Sequence, residues 1–193
     1  MRLFTGLWPS REAVRDLSGA LDRLPAAEVR AASAGLRGFG FVPSERWHLT
    51  LCFHGDGADP DQLGDRLERR VREAAPEPPR MRLAGSGTFA SVLWLGAEPA
   101  ADRDERALRE LVRAAGGEPD EHLAHVTVAR WRRGRARSGL ARLLGDYAGP
   151  WWYVGEVVLV RSDQRAGGPA YAAVRRVPLG GAASGEGGEQ VFS

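Results

Sequence analysis

Two segments, WHLTLCF at 47–53 and AHVTVAR at 124–130, repeat one pattern of histidine, aliphatic residue, threonine, aliphatic residue. Both have strand length, and side chains alternate along a strand. His48 and Thr50 then share one face and Leu49 and Leu51 the other; His125 and Thr127 stand likewise against Val126 and Val128. Such a strand puts its aliphatic face into a core and leaves its polar pair at a cleft or surface. The chain has only four histidines. Threonine should follow a given histidine at this spacing roughly 2% of the time, so two matches, one per half, exceed chance.

Histidine, with a pKa near 6.5, can take or give a proton around neutrality. Phosphodiester hydrolysis needs both acts, a base for the incoming water and an acid for the departing oxygen, on opposite sides of phosphorus. His48 and His125 facing each other across a cleft suit that in-line geometry. Thr50 and Thr127 can each donate a hydroxyl hydrogen to a non-bridging oxygen, where charge builds in the transition state. A strained cyclic phosphate is reactive enough for this pair to act without a metal or cofactor. By alternation, His54 and Cys52 continue the face of His48. His54 is expected to be exposed at the strand end, and Cys52 to border the cleft as a bystander. His122 and His125 form H-x-x-H, but in a strand they point to opposite faces, a poor metal pair.

Composition narrows the chemistry further. Cys52 is the single cysteine, which excludes an internal disulfide and any multi-cysteine zinc site. All 27 basic residues are arginine. No Schiff-base lysine, P-loop lysine or covalent lysine–nucleotide intermediate can form. Net charge is only +2, yet RWRRGRAR at 130–137 gathers five arginines around Trp131. Arg132 and Arg133 are candidate contacts to a phosphate backbone, because guanidinium forks onto phosphate oxygens. A merely solvated loop is the plain alternative. No apolar run approaches the ~20 residues of a membrane span, and the N-terminal one is too short for a signal peptide. A cytoplasmic protein with no membrane partner is expected.

Apolar periodicity predicts a strand at 2–8, a helix at 11–24 capped by Ser10, and a Gly-rich connection, GLRGFGFVP. After the first histidine strand come a turn, a helix at 61–74, strands at 81–89 and 92–96, and a charged helix at 103–115. The second histidine strand, at 122–130, leads through the arginine loop to a short helix near 140–144. Strands at 155–161 and 170–177 close the fold. The Gly/Ser-rich tail, 180–193, reads as flexible.

These motifs resemble those of the two-histidine (2H) phosphoesterases, above all the bacterial and archaeal RNA 2′,3′-cyclic phosphodiesterases, also called 2′-5′ RNA ligases. RLFTGLWP, FVPSERWH, GTFASVLWLGAE and the closing segment up to Leu179 extend the likeness. It implies an α+β, bilobal, pseudo-two-fold fold, with two antiparallel sheets lining a central cleft and helices outside, as a single domain over 1–179. It implies His48 as proton donor and His125 as proton acceptor, assisted by Thr50 and Thr127. Arg130 matches the arginine that often closes the second motif, although simple alternation points it away from His125; reaching substrate requires a bulge or the strand's end. Trp8 could stack on a base or pack in the core. The implied partner is RNA with a 2′,3′-cyclic phosphate end, or a small cyclic nucleotide, bound by a monomer. His54 departs from the family, which usually has an aliphatic residue there.

Three other readings are weaker. Joining of RNA ends could proceed here only as the reverse of cyclic phosphate opening, because the chain has no lysine to adenylate. A binding module without catalysis gains little from paired histidines. A metal hydrolase would need a carboxylate–histidine ligand set that neither motif supplies.

Overall fold

The computed structural model describes residues 2–136, 138–165 and 168–180. The fold is α+β. The described residues form nine strands, β1 (Arg2–Leu7), β2 (Gly40–Phe41), β3 (Leu49–Asp56), β4 (Arg80–Phe89), β5 (Val92–Pro99), β6 (His125–Arg130), β7 (Trp152–Tyr153), β8 (Glu156–Arg165) and β9 (Gly168–Pro178). Five helices accompany them: α1 (Arg11–Asp22), α2 (Ala26–Ala32), α3 (Pro60–Ala74), α4 (Asp102–Ala115) and α5 (Ser138–Arg142). The helix starts follow local chemistry. Ser10 accepts from the Ala13 amide at 3.1 Å, and Asp59 caps α3 with Pro60 behind it.

The strands run β7-β4-β5-β6-β3-β1-β8-β9, and β2 lies against β6. The two expected sheets are therefore one path of two four-stranded halves. The halves meet where the histidine strands touch, at a single antiparallel pair, Leu49 with Val126. The halves are not successive in sequence, because β8 and β9 return to flank β1.

One face of the path carries the core. Leu49, Leu51, Val126 and Val128 pack there with Leu17 of α1, Leu67 and Val71 of α3 and Leu111 of α4. Val126, Val128, Leu93 and Leu95 are at most 1% exposed, and burying each such side chain contributes about 1.5–3 kcal/mol. The opposite face carries the polar pairs and a smaller cluster of Phe4, Val158 and Val160, with Trp8 and Tyr171 against it.

Several boundaries differ from expectation. The first histidine strand starts at Leu49 and runs on to Asp56, so His48 precedes it. The second starts at His125, leaving His122 outside. The short helix α2 lies where no helix is predicted; AAEVRAA buries none of its residues, so no apolar stripe marks it. No described helix is long and apolar enough to cross a membrane.

Candidate active site

Each histidine is aimed by the same device. The Nδ1–H of His48 donates to the Arg46 carbonyl at 2.7 Å, and that of His125 donates to the Leu123 carbonyl at 2.7 Å. A carbonyl can only accept, so Nδ1 must carry hydrogen, and Nε2 is left for proton exchange. Trp47, 2% exposed, anchors the approach to His48, its indole N–H donating to the Val42 carbonyl at 2.9 Å.

Pairing at Leu49 and Val126 fixes how the motifs face. Extending that antiparallel register one rung each way sets His48 opposite Thr127 and Thr50 opposite His125. Both threonines are half-buried on the face away from the core. Each rung thus offers one imidazole and one hydroxyl, related by a local two-fold axis. His122 braces this junction. Its Nε2 donates to the Thr50 carbonyl at 2.8 Å, so that nitrogen is occupied by backbone from the other half.

Irregular pairing places the remaining residues. Along β6, Leu93 pairs with Ala129 and Trp94 with Thr127, so Val128 is an extra residue. Val128 and Ala129 are both fully buried, and Arg130 emerges exposed on the side of His125 and Thr127. This bulge supplies what simple alternation withholds. The charge of Arg130 acts on His48, His125 and Tyr171 alike.

Bulges correct two other assignments. Along β3, Thr5 pairs with Cys52 and Gly6 with Thr50, skipping Leu51; a second shift skips His54. Cys52 therefore leaves the face of Thr50 and packs partly against the main core, not at the cleft. His54 is half-buried on the helix side, hydrogen-bonded to Thr5 Oγ1 at 2.9 Å and under the field of Arg66 in α3. Phe53, 73% exposed, takes the cleft side, 6.0 Å from Phe4.

Rings surround both histidines. Trp8 stacks on His48 at 5.5 Å, and Phe4 lies 4.7 Å from it. Tyr171 meets His48 edge-on at 5.3 Å, while Phe89 meets His125 edge-on at 5.2 Å. Phe4, Tyr171 and Phe89 carry no motif signal, since an aromatic in a strand reads as ordinary β-propensity. Desolvation lowers the pKa of both motif imidazoles. His48 falls to about 4, its hydrogen bond to Arg46 opposing the shift while Arg130 and His125 add to it. His125 is lowered mainly by burial, with His122 and Arg130 contributing.

In the arginine loop, Trp131 is a core anchor, 4% exposed, with Nε1 donating to the Gly134 carbonyl at 3.1 Å. Gly134 has φ of 101°, and a Cβ there would lie 2.5 Å from the Gly35 carbonyl oxygen, so only glycine fits. Arg133 pairs with Arg37 through backbone, and Arg132 lies along Gly38. Both arginines are exposed. Arg137 and the 181–193 part of the tail lie outside the described residues. No group of three His, Cys, Asp or Glu side chains that could hold a metal occurs among the described residues.

Comparison with known proteins finds relatives along most of the chain. The family described as LigT like Phosphoesterase matches residues 15–94. An RNA 2′,3′-cyclic phosphodiesterase of Methanothermobacter thermautotrophicus is 32% identical over 83% of this chain and 89% of its own. One from Thermus thermophilus is 28% identical over 94% of this chain and 91% of its own. A solved Thermus thermophilus structure superposes with a TM-score of 0.64 at 26% identity, covering 93% of this chain and 98% of that one.

The environment of His48 has a consequence for stability. Its imidazole binds a proton near pH 6.5 in the unfolded chain but only near 4 in the folded protein. Between those values the unfolded state holds the extra proton, so stability is intact above pH 6.5 and lost as pH falls toward 4. The unfolding free energy from denaturant titration should fall more between pH 7 and 4.5 for the wild type than for His48→Asn, by on the order of 2 kcal/mol. Equal losses would contradict the enclosure of His48.

Proposed function

The chain belongs to the LigT-like (2H) phosphoesterase family, and we propose that it hydrolyses 2′,3′-cyclic phosphate ends of RNA to 2′-phosphates by two-histidine acid–base catalysis. The observation that carries this reading is the pair of imidazoles at the junction, each with Nδ1 tied to a carbonyl and Nε2 left for proton transfer.

Water attacks phosphorus as His125 Nε2 removes its proton. The bond from phosphorus to the 3′ oxygen breaks, and His48 Nε2–H supplies the proton that oxygen needs. The product carries a 2′-phosphate and a 3′-hydroxyl. Thr50 and Thr127 donate to the non-bridging oxygens, and Arg130 offsets their charge. His48 is neutral at pH 7 while the site is empty, because its pKa lies near 4. The phosphate monoanion offsets the repulsion from Arg130 and draws a proton onto His48. Trp8, on the His48 side, holds the terminal nucleoside. With a 5′-hydroxyl in place of water, the same ring opening would form a 2′-5′ linkage and free the 3′-hydroxyl.

The direct test is turnover of an RNA ending in 2′,3′-cyclic phosphate, assayed in EDTA. His48→Ala and His125→Ala should each lose about 10²–10⁴ in turnover, and the double variant should be little worse than the poorer single. Near-wild-type turnover in both singles, or complete dependence on an added divalent ion, would contradict the mechanism.

The exposed arginines beyond β6 are proposed to hold the RNA backbone upstream. Replacing Arg132, Arg133 and Arg135 with alanine should weaken RNA binding and flatten its dependence on salt. Turnover of a cyclic mononucleotide should barely change. An unaltered RNA salt series would show the loop to be only solvated.

A further inference from the structure

The two-fold relation between the histidine motifs stops at their surroundings. His125 meets two rings from its own half, Phe89 at 5.2 Å and Trp94 at 6.2 Å, both at steep angles. His48 meets three. Phe4 and Trp8, both from the first strand and its end, lie over the imidazole at interplanar angles of 30° and 29°. Tyr171 approaches at 88° and rests edge-on against Phe4 at 5.3 Å. It comes from β9, which reaches the site only because β8 and β9 fold back beside β1.

We propose that Tyr171 is a positioning residue for His48: its ring closes the side of the imidazole that Phe4 and Trp8 leave open, holding the ring plane and keeping bulk water away. The hydrogen bond from Nδ1 to Arg46 fixes one atom of the imidazole but permits rotation about that contact. Two rings lying over the imidazole and a third across its edge remove that freedom. Among the described residues, Arg130 and His125 from β6 act on His48, Tyr171 from β9 meets its ring, and Arg130 and Arg46 act in turn on Tyr171. Burial raises the pKa of the Tyr171 phenol, so it stays neutral and adds no charge. The enclosure thus acts on His48 through solvent exclusion, and among the described residues no counterpart of Tyr171 closes over His125.

This inference rests on the two-histidine reading for its kinetic arm only. Long-range proton–nitrogen NMR on the free wild-type protein resolves each imidazole, and an NOE between the Tyr171 and His48 rings should be present. Tyr171→Leu, which removes the ring, should raise the His48 titration midpoint by about one unit or more. Tyr171→Phe, which keeps the ring, should leave it in place, and His125 should move in neither. Against a 2′,3′-cyclic mononucleotide, Tyr171→Leu should lower kcat with little change in KM. Absence of the NOE overturns the proposal even if the leucine variant fails to fold. Equal shifts in the Leu and Phe variants would assign the effect to the hydroxyl, and equal movement of His48 and His125 would reveal general loosening; either overturns it. A protein inactive on every cyclic phosphate, yet with these titrations, would refute the proposed function and leave the positioning role standing.

Discussion

A single antiparallel contact between Leu49 and Val126 holds the two halves of the sheet in register at the site. Their side chains enter the core at 3% and 1% exposure, so the contact is fixed by packing more than by hydrogen bonds. Because the register is antiparallel, it inverts one motif relative to the other, and each histidine faces the other strand's threonine. A displacement of one residue would carry every polar side chain to the core face. The brace from His122 to the Thr50 carbonyl lies at the same point. Leu49 with Val126 is the one pair by which β3 and β6 are joined among the described residues.

Much of the arrangement was legible in the sequence because period-two alternation is local. The pattern of histidine, aliphatic, threonine, aliphatic states which side chains meet the core, and the core bears it out for Leu49, Leu51, Val126 and Val128. Ser10 and the apolar spacing behind it mark α1 for the same reason. Alternation fails where an extra residue enters a strand. The bulges at Leu51 and His54 turn Cys52 and His54 toward the helices, and the one at Val128 turns Arg130 toward the cleft. No residue in those stretches announces a bulge, since each depends on pairing with a distant strand. Tyr171 was illegible for a related reason, because its place beside His48 follows from the return of β8 and β9 to β1.

The site is also less symmetric than its motifs. One imidazole is enclosed by three rings and held near pKa 4, while the other is lowered without that third ring. A catalytic pair needs unequal members, since one must give a proton as the other takes one. Aromatic enclosure makes the two imidazoles unequal within a nearly two-fold backbone. Yet it favours neutral His48 while the site is empty, so an acid role for His48 requires the negative charge of a bound phosphate to return the proton.

Varying the leaving group tests the division of labour between the histidines most directly. A cyclic or aryl phosphodiester whose leaving oxygen is a good anion no longer needs an acid. If His48 is the acid, this substrate should restore most of the turnover lost in His48→Ala while His125→Ala remains impaired. Rescue of His125→Ala with continued failure of His48→Ala would contradict the account.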